Sequence, residues 1–360
     1  MRGKAKMNNI KLSQAKAMKQ LYAFTTKRAI DLSLSENPLG CSPLVLAAAK
    51  NLTVNINDYP LANGRLLKKA LADHLTLSEN NFFIANGSEA IINYLAKVFG
   101  RVGDEVLVPA LTFPLFAIST KLAGKKLVRA KMTTNLGIDL AAMREAISAK
   151  TCLIFLCNPN NPTGAVLPQQ AILDFLECVP KNVLLVVDEA NIEFAGESVI
   201  SEIKNRDNLL VLRTFSKAFG LAGLRVGFAT ANNRLIEKLE EETPPFPISS
   251  ITEQLVGVAL KDQQFLARTR KFVAQERIFL TKALNTLGFQ VFPSQANNLF
   301  VKISDRLSEQ QFKKSLQTND TSVVMGSSFA GFSDAFFRIS VRSHNINQRF
   351  IQKISRPAVN

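Results

Sequence analysis

The chain has 360 residues, 47% of them hydrophobic and 20% charged, an ordinary globular composition long enough to bury one large core or a large and a small one. No apolar run is long enough to cross a bilayer, the basic N-terminus lacks the apolar core of a secretory signal, and Cys41, Cys152, Cys157 and Cys178 have no metal-like spacing. The expectation is therefore a cytoplasmic protein with no membrane and no metal. The net charge of +15 invites a polyanionic partner, yet Lys and Arg are spread along the chain, with modest clusters in residues 1–28 and 261–282 and no nucleic-acid-binding motif beside them, so no nucleic acid is expected.

Residues 1–30 read as a basic, helix-permissive arm, with Leu12, Ala15, Met18, Leu21 and Tyr22 at roughly helical spacing. Asp31–Gly40 is a short extended segment closed by Pro38 and Gly40. Ile56-Asn-Asp-Tyr-Pro60 precedes an amphipathic helix over about 64–74. The apolar run Phe82–Ala85 ends at Asn86-Gly87-Ser88, with a helix to follow and Ser88 as its N-cap. Free N–H groups at such a start make an anion site for the backbone of Gly87, Ser88 and Glu89, although a capped helix without a ligand has the same pattern.

From Glu105 onward the pattern alternates. Strands are expected at 105–108, 126–130, 152–156, 183–187, 209–212 and 225–229, with helices near 115–123, 139–149 and 168–178. Continuous Val/Ile/Leu runs are buried on both faces, the mark of a mainly parallel sheet wrapped by helices. Ligands of such sheets lie beyond the carboxyl ends of the strands, which directs attention to the residues just after each run. Phe113 follows the first run and offers a ring for stacking. Cys157-Asn-Pro-Asn-Asn-Pro-Thr-Gly164 follows the third as a dense turn. Asp188-Glu189-Ala190 follows the fourth.

The segment Val211–Phe228 is the centre of the reading: an apolar run, a break at Thr214-Phe-Ser-Lys217, a short helical turn and a second strand. Burial of the Lys217 ammonium lowers its pKa and favours the neutral amine that attacks a carbonyl. Ser216, Arg225 and nearby backbone N–H groups can hold an anion beside it. A carbonyl-capturing lysine next to a phosphate site points to pyridoxal 5'-phosphate (PLP), whose ring nitrogen stays protonated when a buried carboxylate faces it, the role assigned to Asp188. Thr243-Pro-Pro-Phe-Pro247 breaks the chain, and a second unit of helices (250–260 and 262–287) and strands (289–292, 299–303 and 335–341) follows. The expected division is an arm, 1–30; a large PLP-binding unit, 31–245; and a small α+β unit, 246–360. Arg338, inside an apolar strand, needs a partner, and a substrate carboxylate or a buried ion pair both satisfy it.

These segments, in this order from Asp31 to about Phe350, closely resemble the fold-type-I PLP enzymes of the class I/II aminotransferase superfamily, in particular the histidinol-phosphate aminotransferase branch and the related threonine-phosphate decarboxylases. The resemblance implies a large α/β domain with a mainly parallel seven-stranded sheet and a smaller α+β domain. It implies that Lys217 is the Schiff-base lysine and the acid and base of the reaction, that Phe113 stacks on the cofactor ring, and that Asn161 donates to the ring oxygen. Asn37 and Arg338 match substrate-binding positions, and Tyr59 matches a tyrosine that reaches the cofactor phosphate across a homodimer interface. The activity implied is amino-group transfer between an amino acid, or an amino-alcohol phosphate such as histidinol phosphate, and a 2-oxo acid such as 2-oxoglutarate, in amino-acid biosynthesis.

Two departures stand out. Asn191 occupies the place of a tyrosine near the ring oxygen, where a shorter amide still donates but cannot release a proton. No basic residue occurs between Lys314 and Arg338, where the branch places an arginine for substrate phosphate. Decarboxylation of an amino-acid phosphate, and PLP binding without turnover, are the alternatives these departures leave.

Overall fold

The computed structural model describes residues 28–305 and 307–355, so the expected N-terminal arm lies, through residue 27, outside the described residues. The first strand, β1 (Ile30–Asp31), is short. The strands β2 (Phe82–Ala85), β3 (Glu105–Pro109), β4 (Lys126–Ala130), β5 (Thr151–Cys157), β6 (Leu184–Asp188), β7 (Leu209–Thr214) and β8 (Gly227–Ala231) form a seven-stranded sheet in the order β2-β8-β7-β6-β5-β3-β4. The β3/β4, β3/β5, β5/β6 and β6/β7 pairs are parallel, and β8 runs antiparallel to both its neighbours. The mainly parallel sheet expected from the apolar runs is thus present.

Burial on both faces explains those runs. Side chains alternate across a strand: Ile154, Leu156, Leu185, Val187 and Val211 face one apolar cluster, while Leu153, Phe155, Leu184, Val186 and Leu210 face the other. The first cluster is closed by Leu67 and Leu71 of the helix Arg65–Leu75 and by Phe175 and Leu176 of the helix Gln169–Cys178. The second is closed by Ile91 and Leu95 of the helix Gly87–Val98 and by Leu115 and Phe116 of the helix Pro114–Leu122.

A second, antiparallel sheet has the order β12-β13-β10-β9, from β9 (Gln290–Val291), β10 (Asn298–Lys302), β12 (Val324–Met325) and β13 (Phe336–Ser340); β11 (Thr321–Ser322) pairs in parallel with β1. Its cluster joins Val301, Phe337 and Ile339 to Val273, Leu280 and Leu284 of the helix Gln263–Thr286, and takes in Ile30 and Leu32 from the start of the described chain. The chain breaks at the expected proline-rich stretch, but the packing partner changes later. Leu255, Val256 and Leu260 of the helix Ser250–Lys261 belong to the first sheet's cluster, as does Leu266 of the next helix, whose Val273 belongs to the second sheet.

Local details differ from expectation for identifiable reasons. The strand expected from Arg225 begins at Gly227, because Arg225 has φ 49°, a left-handed conformation that ends a 3-10 turn at Ala222–Leu224. The helix expected over 139–149 spans Leu140–Glu145. The N-cap of the helix Gly87–Val98 is Asn86, not Ser88, which lies within the first turn. Helices at Pro43–Lys50, Asn233–Glu240, Glu309–Thr318 and His344–Ile354 fall on stretches that the sequence reading leaves unassigned.

Candidate active site

The carboxyl ends of the parallel strands converge on a cavity of about 510 Å³. Lys217 and Ser216 reach it from the turn after β7, Asp188 and Asn191 from the end of β6, Asn161 from the loop after β5, and Phe113 from the loop after β3. Ser88, Glu89 and Arg225 close one side and Arg338, on β13 of the second sheet, the other. Side chains point opposite ways at Asp188, the last residue of β6, and at Glu189 just after it. Asp188 faces the cavity, whereas Glu189 is 1% exposed on its side chain and receives Arg213 Nη2 at 2.9 Å and the Val199 N–H at 2.8 Å.

Charge in the cavity is set by burial. Desolvation lowers the Lys217 pKa from 10.5 to about 8, helped by the guanidinium of Arg338 and opposed by Glu89 and Glu36. The amine is thereby brought within reach of neutrality at physiological pH. Asp188 is pushed the other way, from 3.8 to about 6, chiefly by burial, against the pull of the Ala190 N–H on its Oδ1 at 3.0 Å. A cation facing Asp188 from within the cavity would return it to its ionised form.

The remaining side chains are held in place by protein contacts. Arg338 Nη1 donates to Asn161 Oδ1 at 2.9 Å and its Nη2 donates to the carbonyl of Ser33, so both acceptors are neutral. The contact turns the Asn161 carbonyl oxygen toward Arg338 and leaves its amide N–H₂ as the group available to the cavity. Thr214 Oγ1 lies 3.1 Å from Ser216 Oγ, and Arg225 Nη2 is 3.5 Å from Glu89 Oε2. Phe113 is the N-cap of the helix Pro114–Leu122, and its ring stands edge-on to Phe116, with centroids 5.7 Å apart.

Two of the expected residues are placed elsewhere. Asn37 does not line the cavity: its Nδ2 donates to the Ala218 carbonyl at 2.7 Å and to Thr269 Oγ1 at 3.2 Å, and its Oδ1 accepts the Leu39 N–H at 2.9 Å. That amide secures the turn just after Lys217. Its neighbours Leu34, Ser35 and Glu36 line the cavity instead, and no periodicity marked them. Tyr59 is 83% exposed and stacks on Phe246 with centroids 5.0 Å apart, outside the cavity of its own chain. Cys157, buried at the end of β5, also lines the cavity, and burial raises its thiol pKa well above the ordinary value.

The cavity fits PLP on three structural observations. Gly87 has φ +78°, and a Cβ there would stand 2.9 Å from Arg225 Nη2, so backbone, guanidinium and the N–H groups of a helix start crowd one spot suited to a phosphate. A Cβ on Gly227 would stand 2.6 Å from the Ser88 nitrogen, so the helix start is pressed onto β8. Asn191 Oδ1 is buried with no hydrogen-bond partner in a residue that lines the cavity, an acceptor whose donor the protein does not itself supply and whose place leaves the amide N–H₂ to donate.

The chain matches the family Aminotransferase class I and II over residues 27–354. It is 35% identical over 333 residues to a histidinol-phosphate aminotransferase of Moorella thermoacetica, covering 91% of this chain and 85% of that one. It superposes with a TM-score of 0.85 at 25% identity on the histidinol-phosphate aminotransferase of Sinorhizobium meliloti solved in complex with pyridoxal-5'-phosphate, covering 94% of this chain and 92% of that one. An L-threonine-O-3-phosphate decarboxylase of Porphyromonas gingivalis, at 23% identity and a TM-score of 0.79 over 90% of this chain and 98% of that one, shares the fold. A match across nearly the whole chain, with the carboxyl ends of the strands gathered around one lysine, identifies the chain as a member of the class I and II aminotransferase family.

Proposed function

We propose that the chain is a PLP-dependent aminotransferase that moves an amino group between an amino-alcohol phosphate such as histidinol phosphate, or an amino acid, and a 2-oxo acid such as 2-oxoglutarate. The observation that carries the reading is the meeting, in one cavity, of a lysine amine lowered to about pKa 8 and a buried carboxylate from adjoining parallel strands. The substrate follows the name borne by relatives such as that of Moorella thermoacetica. Family membership disfavours decarboxylation and binding without turnover.

The residues divide the work as follows. The backbone N–H groups of Gly87, Ser88 and Glu89, the Ser216 hydroxyl and Arg225 would hold the cofactor phosphate, Phe113 would stack on the ring, Asn161 and Asn191 would donate to the ring oxygen, and Asp188 would keep the ring nitrogen protonated. When bound, PLP supplies an aldehyde carbon for the substrate amine and a ring that accepts the electron pair left at Cα. Lys217 Nζ takes the Cα proton as a general base and returns it one position away as an acid; its lowered pKa places both protonation states within reach near neutrality. Arg338, steadied by Asn161 and the Ser33 carbonyl, presents its guanidinium to the substrate anion.

The working unit we propose is a cytoplasmic homodimer in which Tyr59 of a second copy completes the phosphate site. Ile56 and Tyr59, each 83% exposed, and Leu61 and Phe246, 52% and 44% exposed, support a covered apolar face. Among the described residues no helix is long and apolar enough to cross a membrane. The test is glutamate formation from 2-oxoglutarate and histidinol phosphate by the purified protein, together with the visible absorbance of its bound cofactor. Both are expected in the wild type and neither in Lys217→Ala. Turnover that survives in Lys217→Ala refutes the assignment.

A further inference from the structure

The residues lining the cavity include three cations, Lys217, Arg225 and Arg338, and three carboxylates, Glu36, Glu89 and Asp188. The chain as a whole carries a net charge of +15, yet this lining is balanced before any ligand enters. A phosphate ester brings a charge of about −2 at neutral pH, so a carboxylate beside it costs affinity unless a cation accompanies that carboxylate. Two of the three have such company away from the phosphate. Glu36 Oε2 receives Arg342 Nη1 at 2.8 Å, and Asp188 is the carboxylate assigned to the protonated ring nitrogen. Glu89 differs, because the cation it meets is Arg225, the guanidinium that the phosphate itself needs.

The geometry is that of a loose pair. Arg225 Nη2 lies 3.5 Å from Glu89 Oε2, against 2.9 Å for the buried Arg213–Glu189 pair. On its other side the guanidinium is anchored, with Nη1 donating to the Ala222 carbonyl at 3.3 Å, so Nη2 is the nitrogen left to an anion in the cavity. A Cβ at Gly87 would stand 2.9 Å from that same Nη2, so the helix start and the Glu89 carboxylate converge on one nitrogen. Glu89 occupies the first turn of the helix Gly87–Val98, beside the N–H groups suited to phosphate. Its charge also draws the Lys217 pKa upward against burial, so it is felt across the cavity. We propose that the Glu89 carboxylate is a latch on the cofactor site: it holds Arg225 in the cofactor-free protein, yields that guanidinium to the incoming phosphate, and by this competition weakens phosphate binding. Arg225 then meets an anion in both states. The proposal rests on the PLP reading and adds to it a side chain that opposes the cofactor rather than holding it.

The full-length chain, freed of its cofactor, is titrated as wild type, Glu89→Gln and Glu89→Asp. The ligands are PLP, pyridoxal, which lacks the phosphate, and inorganic phosphate as a competitor of PLP. The quantity read is the ratio of PLP affinity to pyridoxal affinity, at low and at high ionic strength; because both ligands meet the same fold, the ratio cancels any loss of folded protein. In Glu89→Gln the ratio rises about fivefold at low salt, inorganic phosphate competes better by a similar factor, and the gain shrinks at high salt as screening removes the repulsion. Glu89→Asp keeps the charge and stays nearer the wild type. A ratio unchanged or lowered in Glu89→Gln, a gain indifferent to salt, or an equal gain in Glu89→Asp overturns the latch. A wild type that develops no visible absorbance with PLP beyond that of Lys217→Ala refutes the PLP reading and the latch with it, whereas the other adverse outcomes leave that reading intact.

Discussion

Replacing Lys217 by Met should make the cofactor-free protein more stable at neutral pH, although it abolishes activity. The Lys217 pKa falls from 10.5 to about 8 chiefly through burial, so below pH 8 the fold carries an ammonium it has desolvated. A shift of that size corresponds to about 3 kcal/mol of penalty, which the side chain's partial exposure reduces to about 1–2 kcal/mol. Methionine fills a similar volume without the charge. The sign follows from linkage: with the folded pKa below the unfolded one, the unfolded state binds more protons between them, so wild-type stability rises with pH from about 8 to 10.5. The assay is urea unfolding of both proteins, freed of cofactor, at pH 7 and pH 10. Lys217→Met should lead clearly at pH 7, and the gap should narrow at pH 10. A variant no more stable at pH 7, or a gap indifferent to pH, would refute the claim that burial rather than the cofactor prepares this amine.

Three further outcomes are expected. Asp188→Asn, which cannot balance a protonated ring nitrogen, should lower kcat by about a hundredfold or more with unchanged circular dichroism, measured by steady-state turnover. Arg338→Lys keeps the charge but loses the fork that holds Asn161 at 2.9 Å, so KM for the 2-oxo acid should rise about tenfold or more, read from initial rates. Gly87→Ala places a Cβ 2.9 Å from Arg225 Nη2 on a backbone at φ +78°, so PLP should bind about tenfold more weakly by fluorescence titration.

Much of the site was legible because its residues sit where strand patterns end. Asp188 and Lys217 could be singled out since apolar runs buried on both faces have only one kind of place to present polar groups, the turns after them. The glycine at 87 and the dense turn at 157–164 carried the same information through backbone freedom. The segment of Asn37 borders the cavity while its own amide, at 2.7 Å from the Ala218 carbonyl, is turned inward to the lysine's turn. A single rotamer decides that, and no spacing records it.

By itself, then, the sequence determined the parallel sheet, the helices that wrap it and the lysine and aspartate at its carboxyl edge, because period and polarity along a strand are local properties of the chain. Tertiary structure alone decided which side chains meet: that Arg338, on the other sheet, grips Asn161, and that Glu36 rather than Asn37 faces the cavity. Those contacts join residues far apart in the chain. Their geometry comes from how the helix Gln263–Thr286 hands the chain from one core to the other, and sequence periodicity, which reports only a residue's own element, does not encode it.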